Sequence, residues 1–141
     1  MGWNPRTHSI LAGMNLSTDA VALAHTMLEA VALRFALAAE ALKKQFPEAG
    51  EIIASGGALS HSPAWAQMFS DAIGSPITLT LEPEASSRGA ALLALQATGY
   101  LTNDLPDPVF GRQFFPSPAK KERYAQLLQM QQELYHKLFS S

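Results

Sequence analysis

Ala54-Ser55-Gly56-Gly57-Ala58-Leu59-Ser60-His61-Ser62-Pro63-Ala64-Trp65 is the stretch that decides the fold. It reads as the end of a strand, a glycine turn and the start of a capped helix. The strand is Glu51 to Ser55, a short apolar run that opens into Gly56-Gly57. Ser62 and Pro63 are the residue types of a helix N-cap and a first helical position. Trp65, Met68, Phe69, Ala72 and Ile73 then recur at helical spacing, and Gly74 stands where a helix C-terminus favours glycine. Paired glycines permit positive φ and let a flat or anionic ligand reach the main chain. The helix from Pro63 would add unbonded N–H groups and the positive end of its dipole, for which a nucleotide is the natural guest. The same spacing also suits a tight strand-to-helix turn that holds no ligand. Neither Gly-x-Gly-x-x-Gly nor Gly-Lys-Ser/Thr is present, which excludes the dinucleotide fingerprint and the P-loop.

Upstream, Met1 to Asn15 reads as a loop broken by Gly2, Asn4, Pro5 and Gly13. Ser17 is the expected N-cap of a long helix that runs to about Gln45. Leu23, Met27, Val31, Phe35, Ala38 and Leu42 mark its expected inner face, and Lys43 and Lys44 complement its C-terminal dipole. Pro47 and Gly50 stop it. Downstream, Pro76 starts a second strand in which Ile77, Leu79 and Leu81 alternate with Thr78 and Thr80. A helix from Ser86 to Ala97 ends at Gly99 and is rich in small residues, Gly89, Ala90, Ala91 and Ala94. Residues 100–118 are read as a proline-containing connection. Lys120 to Phe139 form a tail helix with Tyr124, Leu127, Leu128, Gln131, Leu134, Tyr135 and Leu138 as its inward stripe. The alternation predicts an α/β fold with two parallel strands, crossover helices and a C-terminal tail helix. Two strands make too small a parallel sheet to stand alone, so the chain reads as a piece of a larger α/β domain.

Composition narrows the function classes. The 141 residues are 48% hydrophobic and 16% charged, the balance of one globular domain. A net charge of -2 gives no basic surface for nucleic acid or an anionic membrane. With no cysteine there is no disulfide, thiolate metal site or cysteine nucleophile. No apolar run in the sequence approaches the roughly 20 residues of a membrane span. The first ten residues lack a signal-peptide core, so a cytoplasmic location is expected. His8, His25, His61 and His136 show no i, i+4 pair and no clear carboxylate partner, which argues against a metal site. Glu29, among apolar neighbours, is expected to hydrogen bond structurally. Ser60 and Ser62 lie in no Gly-x-Ser-x-Gly elbow, and Ser62 fits a helix cap better than a nucleophile.

Several ordered motifs resemble one family. Gly56-Gly57-Ala58 with His61-Ser62-Pro63-Ala64-Trp65 and Ser70-Asp71-Ala72-Ile73-Gly74 resembles the second signature region of the FGGY carbohydrate kinases, most of all the gluconate-kinase and xylulokinase branch. Gly2-Trp3-Asn4-Pro5 with Leu11-Ala12-Gly13, Leu28-Glu29-Ala30-Val31-Ala32, and Glu84-Ala85-Ser86-Ser87-Arg88-Gly89-Ala90-Ala91 match further segments in order. Residues 1–100 thus resemble the second half of the family's C-terminal domain, and residues 101–141 are a connection and tail helix. The resemblance implies a partial actin-like, ribonuclease-H-like domain and ATP with Mg²⁺ in the cleft of a two-domain kinase. It places Gly56, Gly57 and Ala58 against the nucleotide, His61 (where the family usually has Asn or Lys) near the adenine, and Gly89 packed closely under the turn. It also implies that a full kinase needs an Asp-x-Gly-Thr phosphate segment, an aspartate base and Mg²⁺ ligands, and none of these motifs is found in this sequence. The chain alone is therefore expected to be inactive, whether as a fragment, a domain or one product of a split gene. Its partners would be ATP or ADP, a sugar or sugar acid such as gluconate or xylulose only with the N-terminal half present, and that half or a second copy of itself. The alternative is a non-catalytic structural or interaction module that keeps the fold.

Overall fold

The fold comes from a computed structural model, which describes residues 9–101 and 105–139. The expected Gly2–Pro5 motif and His8 lie outside the described residues. In chain order the elements are α1 (Ala20–Gln45), β1 (Ile52–Ala54), α2 (Gly57–Ser60), α3 (Pro63–Ile73), β2 (Ile77–Thr80), α4 (Ala85–Ala97), β3 (Phe110–Phe114), a 3₁₀ turn (Pro118–Lys120) and α5 (Lys121–Phe139). β1 and β2 are parallel, with Ile52 opposite Ile77 and Ala54 opposite Leu79, as the α3 crossover requires. The α/β class therefore holds, and the sheet gains a strand that the sequence reading missed. β3 pairs antiparallel with the other edge of β2, with Ile77 opposite Phe114, inside the stretch read as a connection. Its sequence is Phe-Gly-Arg-Gln-Phe and buries only its last residue, so it carries no readable alternation.

The core gathers where α1 and α3 lie over this sheet. Ala32, Ala66, Phe69, Ile77, Leu79 and Phe114 form its buried cluster. Ala32 and Ala66 have no exposed surface, so two small side chains let the helices come close. Phe69 fills the space beside them, its ring 5.2 Å from that of Phe35 and 5.4 Å, edge-on, from that of Trp65.

The packing of α1 corrects two expectations. Its N-cap is Asp19, whose Oδ1 accepts from the Ala22 amide at 2.7 Å, whereas Ser17 bonds back to Asn15. Ser17, Thr18 and Asp19 are all capping types, so sequence alone does not choose among them. The face of α1 that packs inward is Glu29, Ala32, Leu33 and Ala36, while Met27, Val31, Phe35 and Leu42 of the expected face are exposed. The helix is apolar on most sides, and periodicity cannot then select the buried one. α1 is also long and apolar enough to cross a bilayer by length and composition, which the reading of the bare sequence had denied. Here its inward face is part of a protein core.

Two buried carboxylates tie the last third of the chain to the helices before it. Asp71 is 3% exposed. Its Oδ1 accepts from the Gln67 side chain and the Ser117 amide, both at 2.9 Å, and its Oδ2 from Lys120 Nζ at 2.9 Å. Burial by itself would raise its pKa, but the bonds from Lys120, Ser117 and Gln67 and the Lys120 charge prevail and hold the carboxyl below its ordinary value. Ser70 adds a bond from its Oγ to the Phe114 carbonyl at 3.0 Å, which fastens β3 to α3. Glu29 is the second carboxylate. Its Oε1 lies 2.7 Å from Arg123 Nη1 of α5, and His25 Nδ1 stands 3.9 Å from its Oε2. His25 thus does have a carboxylate neighbour, one helical turn away. Burial, reinforced by the charge of Glu29 and a bond to it, pushes the Tyr124 phenol up to about 12. Of the expected α5 stripe, Tyr124 is buried and Leu134 and Leu138 stay exposed.

Candidate functional site

The glycine turn follows β1, at the C-terminal end of a parallel strand. Gly56 has φ 108° and ψ 144°, a conformation that a side chain rarely tolerates. Gly57-Ala58-Leu59-Ser60 then coil into α2, a four-residue helix where the sequence reading had only a turn. The Gly56 carbonyl accepts from the Leu59 amide at 3.2 Å, the Ser60 amide at 3.1 Å and Ser60 Oγ at 2.7 Å. The Gly57 carbonyl accepts from the His61 amide at 3.0 Å and meets the ring Nδ1 of His61 at 2.7 Å. A carbonyl only accepts, so Nδ1 carries the proton, and Nε2 of the neutral ring is left as an acceptor.

These bonds fix the direction of the amides. A peptide unit is planar, with its C=O and N–H on opposite sides. With the carbonyls of Gly56 and Gly57 turned into α2, the N–H groups of Gly57 and Ala58 face away from it. First-turn N–H groups have no acceptor within their own helix. Gly56, Gly57, Ala58 and His61 are all exposed, and a Cβ built on Gly56 would meet no atom within 4 Å. The turn is an open, polar, backbone surface.

The N-terminus of α3 does not extend that surface as expected. Pro63 has no N–H, and the Trp65 amide is already bonded to Ser62, whose Oγ caps it at 3.4 Å. Ser60, dismissed as a nucleophile on sequence, locks the turn through its hydroxyl. A serine four residues after the first glycine was the available signal. Gly89 is also placed differently: a Cβ there would meet nothing within 4 Å, and no residue of α4 is buried. It does not pack under the turn. A cavity of about 470 Å³ lies elsewhere, between the end of α3, residues 116–118 and the start of α5. Asp71 in its wall has its oxygens engaged, so that carboxylate is structural.

Gly56→Ala tests the turn itself. Forcing a Cβ into this backbone region costs about 1–3 kcal/mol, with no clash to add to it. The expected result is a loss of that size in urea melts, with the far-UV spectrum unchanged. A neutral substitution would show that the turn does not need glycine.

Comparison with known proteins shows the family of the chain. The C-terminal domain profile of the FGGY family of carbohydrate kinases matches residues 1–98. The chain belongs to the FGGY family. A glycerol kinase of Alkalilimnicola ehrlichii is 33% identical over 101 residues, which cover 69% of this chain and 20% of that protein. Among solved structures, the xylulose kinase of Rhodospirillum rubrum superposes with a TM-score of 0.77 at 29% identity, covering 96% of this chain and 28% of that one. The gluconate kinase of Lactobacillus acidophilus gives 0.73 at 25% identity, over 89% and 26%. The chain thus spans between 20% and 28% of the length of these FGGY relatives. The likeness to solved structures runs past residue 98 and takes in most of the tail.

Proposed function

We propose that this chain is the nucleotide-binding portion of a carbohydrate kinase, with the turn at Gly56, Gly57 and Ala58 as the place where ATP or ADP docks. The observation that carries this is the pair of outward amides, Gly57 and Ala58, on an exposed turn. Such donors suit phosphate oxygens, which accept hydrogen bonds from backbone N–H groups. His61 stands one helical turn along, and its Nε2 can accept from an amino group on a flat base such as the exocyclic amine of adenine. The residues present fit a nucleotide: the turn is uncovered, and no acidic side chain stands among residues 54–65 to repel phosphate.

Bound ATP supplies the phosphoryl group. What this chain does is hold it. The amides of residues 57 and 58 orient the phosphates and His61 orients the base, while water is excluded only when a facing surface closes over the turn. In-line transfer also needs Mg²⁺, a base and a sugar site, and phosphoryl transfer depends on positioning all of them together. We assign those groups to an N-terminal half outside these 141 residues, so the chain alone binds without turning over. Gluconate, xylulose or a related polyol would be the acceptor in the complete enzyme. A cytoplasmic location follows from that role.

The test is an ADP titration followed by ¹⁵N NMR of the wild-type chain. Amide shifts should change at Gly57, Ala58 and His61 and not in α5. An unchanged spectrum at several millimolar ADP would sink the reading for this chain.

A further inference from the structure

His61 is the titratable side chain of the glycine turn, and its ring is anchored through one nitrogen. Nδ1 meets the Gly57 carbonyl at 2.7 Å. A Cβ built on Gly57 would lie 3.7 Å from Nδ1 and 3.9 Å from Cε1, so this edge of the ring faces the main chain. Nε2, beyond Cε1, has no hydrogen-bond partner among the described residues, and the residue is exposed.

The backbone bond decides the tautomer but leaves the charge open. Nδ1–H donates to the carbonyl whether the ring is neutral or protonated. Only Nε2 changes: it accepts on the neutral ring and donates on the imidazolium. The ring stays in place while the sense of its outer edge reverses. Histidine is the side chain that makes this change between about pH 5 and 8. An amide side chain offers both senses at once, and lysine only donates.

Such an edge reads the edge of a base. Neutral Nε2 matches an exocyclic amine, such as the 6-amino group of adenine. Against a 6-carbonyl, as in hypoxanthine, it sets lone pair to lone pair. After protonation the carbonyl is the match and the amine the mismatch.

None of the charged groups on the neighbouring elements is bonded to the ring. Glu51 stands before β1, at the far end of that strand. β2 runs parallel to β1 and ends on the same side of the sheet, where Glu82 pairs with Arg88 at 3.3 Å and Glu84 opens α4. α3 carries Asp71 near its other end, bonded to Lys120. On α1, which meets α3 at Trp65, Glu29 pairs with Arg123 and His25 stands 3.9 Å from it.

We propose that the protonation of His61 sets which base the turn takes. The neutral ring selects an amino-bearing base such as adenine, and the charged ring a carbonyl-bearing base such as hypoxanthine. This rests on nucleotide docking at residues 56–58.

The test titrates the wild-type chain with ADP and with IDP at about pH 8 and about pH 5, following the Gly57 and Ala58 amides by ¹⁵N NMR. Both diphosphates lose charge alike on acidification, so the ratio of their dissociation constants isolates the base. Asp71 stays ionised in the acid arm, which keeps the fold. ADP should bind about fivefold tighter than IDP at the higher pH, and the order should reverse at the lower. His61→Asn has a donor and an acceptor and does not titrate, so its ratio should be the same at both. If both nucleotides move the Gly57 and Ala58 amides but the wild-type ratio ignores pH, this proposal is overturned and the docking stands. A His61→Asn ratio that shifts as the wild type's does overturns it too, because another group would then be responsible. If neither nucleotide moves those amides, the docking and this proposal fall together.

Discussion

Asp71→Ala should lower the melting temperature by roughly 10 °C, through a loss of about 3 kcal/mol. The carboxylate is the shared acceptor for Gln67, the Ser117 amide and Lys120. Alanine removes the acceptor of the part-buried Ser117 N–H, and an unmet donor there costs more than the bond itself was worth. Lys120 is half exposed and can turn to water, which keeps the loss at the low end of the range for broken buried pairs. Asp71→Asn keeps one acceptor oxygen and should lose about half as much. The sign of the pH effect follows from the depressed carboxyl. The unfolded chain takes up its proton near 3.8, the folded one only at lower pH. The contribution is therefore complete above about pH 4 and disappears as pH falls through the folded value. Melting curves of wild type and Asp71→Ala should converge in that acid window. A gap that stays constant down to pH 2 would show that the charge on Asp71 is not what stabilises the joint.

Phe69→Ala is the other large effect, with about 4 kcal/mol expected. The ring is 6% exposed and sits between Phe35 of α1 and Trp65 of its own helix, above Ile77 and Leu79 of β2. Its removal opens a cavity at the junction of three elements, and Ala32 and Ala66 are too small to collapse into it. The partner ring of Phe35 is 55% exposed, so Phe35→Ala alone should cost much less. A double-mutant cycle on the pair should return about 0.5–1.5 kcal/mol of coupling. Urea melts of the four proteins measure it. If Phe69→Ala costs under 1 kcal/mol, the α1–α3 contact is not the centre of the fold.

What the sequence disclosed depended on punctuation. α3 was readable because Ser62-Pro63 opens it, Gly74 closes it in a left-handed turn, and its apolar positions lie on one side. β1 and β2 were readable as apolar runs beside glycine or proline. β3 was not, because Phe110–Phe114 is short, polar in its middle and crowded by Pro106, Pro108, Pro116 and Pro118. The buried side of α1 was not, because alanines and leucines surround most of the helix and no polar stripe marks solvent. The glycine pair was visible as a turn. The direction of its amides was not, because it is set by Ser60 and His61 reaching back to carbonyls, a three-dimensional fact with only a faint trace in spacing.

α4 has a consequence of its own. No residue of this helix is buried, and its attachments include an Arg88 bond to the Pro106 carbonyl at 2.7 Å and an ion pair with Glu82 at 3.3 Å. Thirteen residues with no fully buried side chain make a marginal helix in water. The molecule should thus have two tempers: α4 unwinds and re-forms on its own, many times, before the joint of α1, α3 and the sheet opens once.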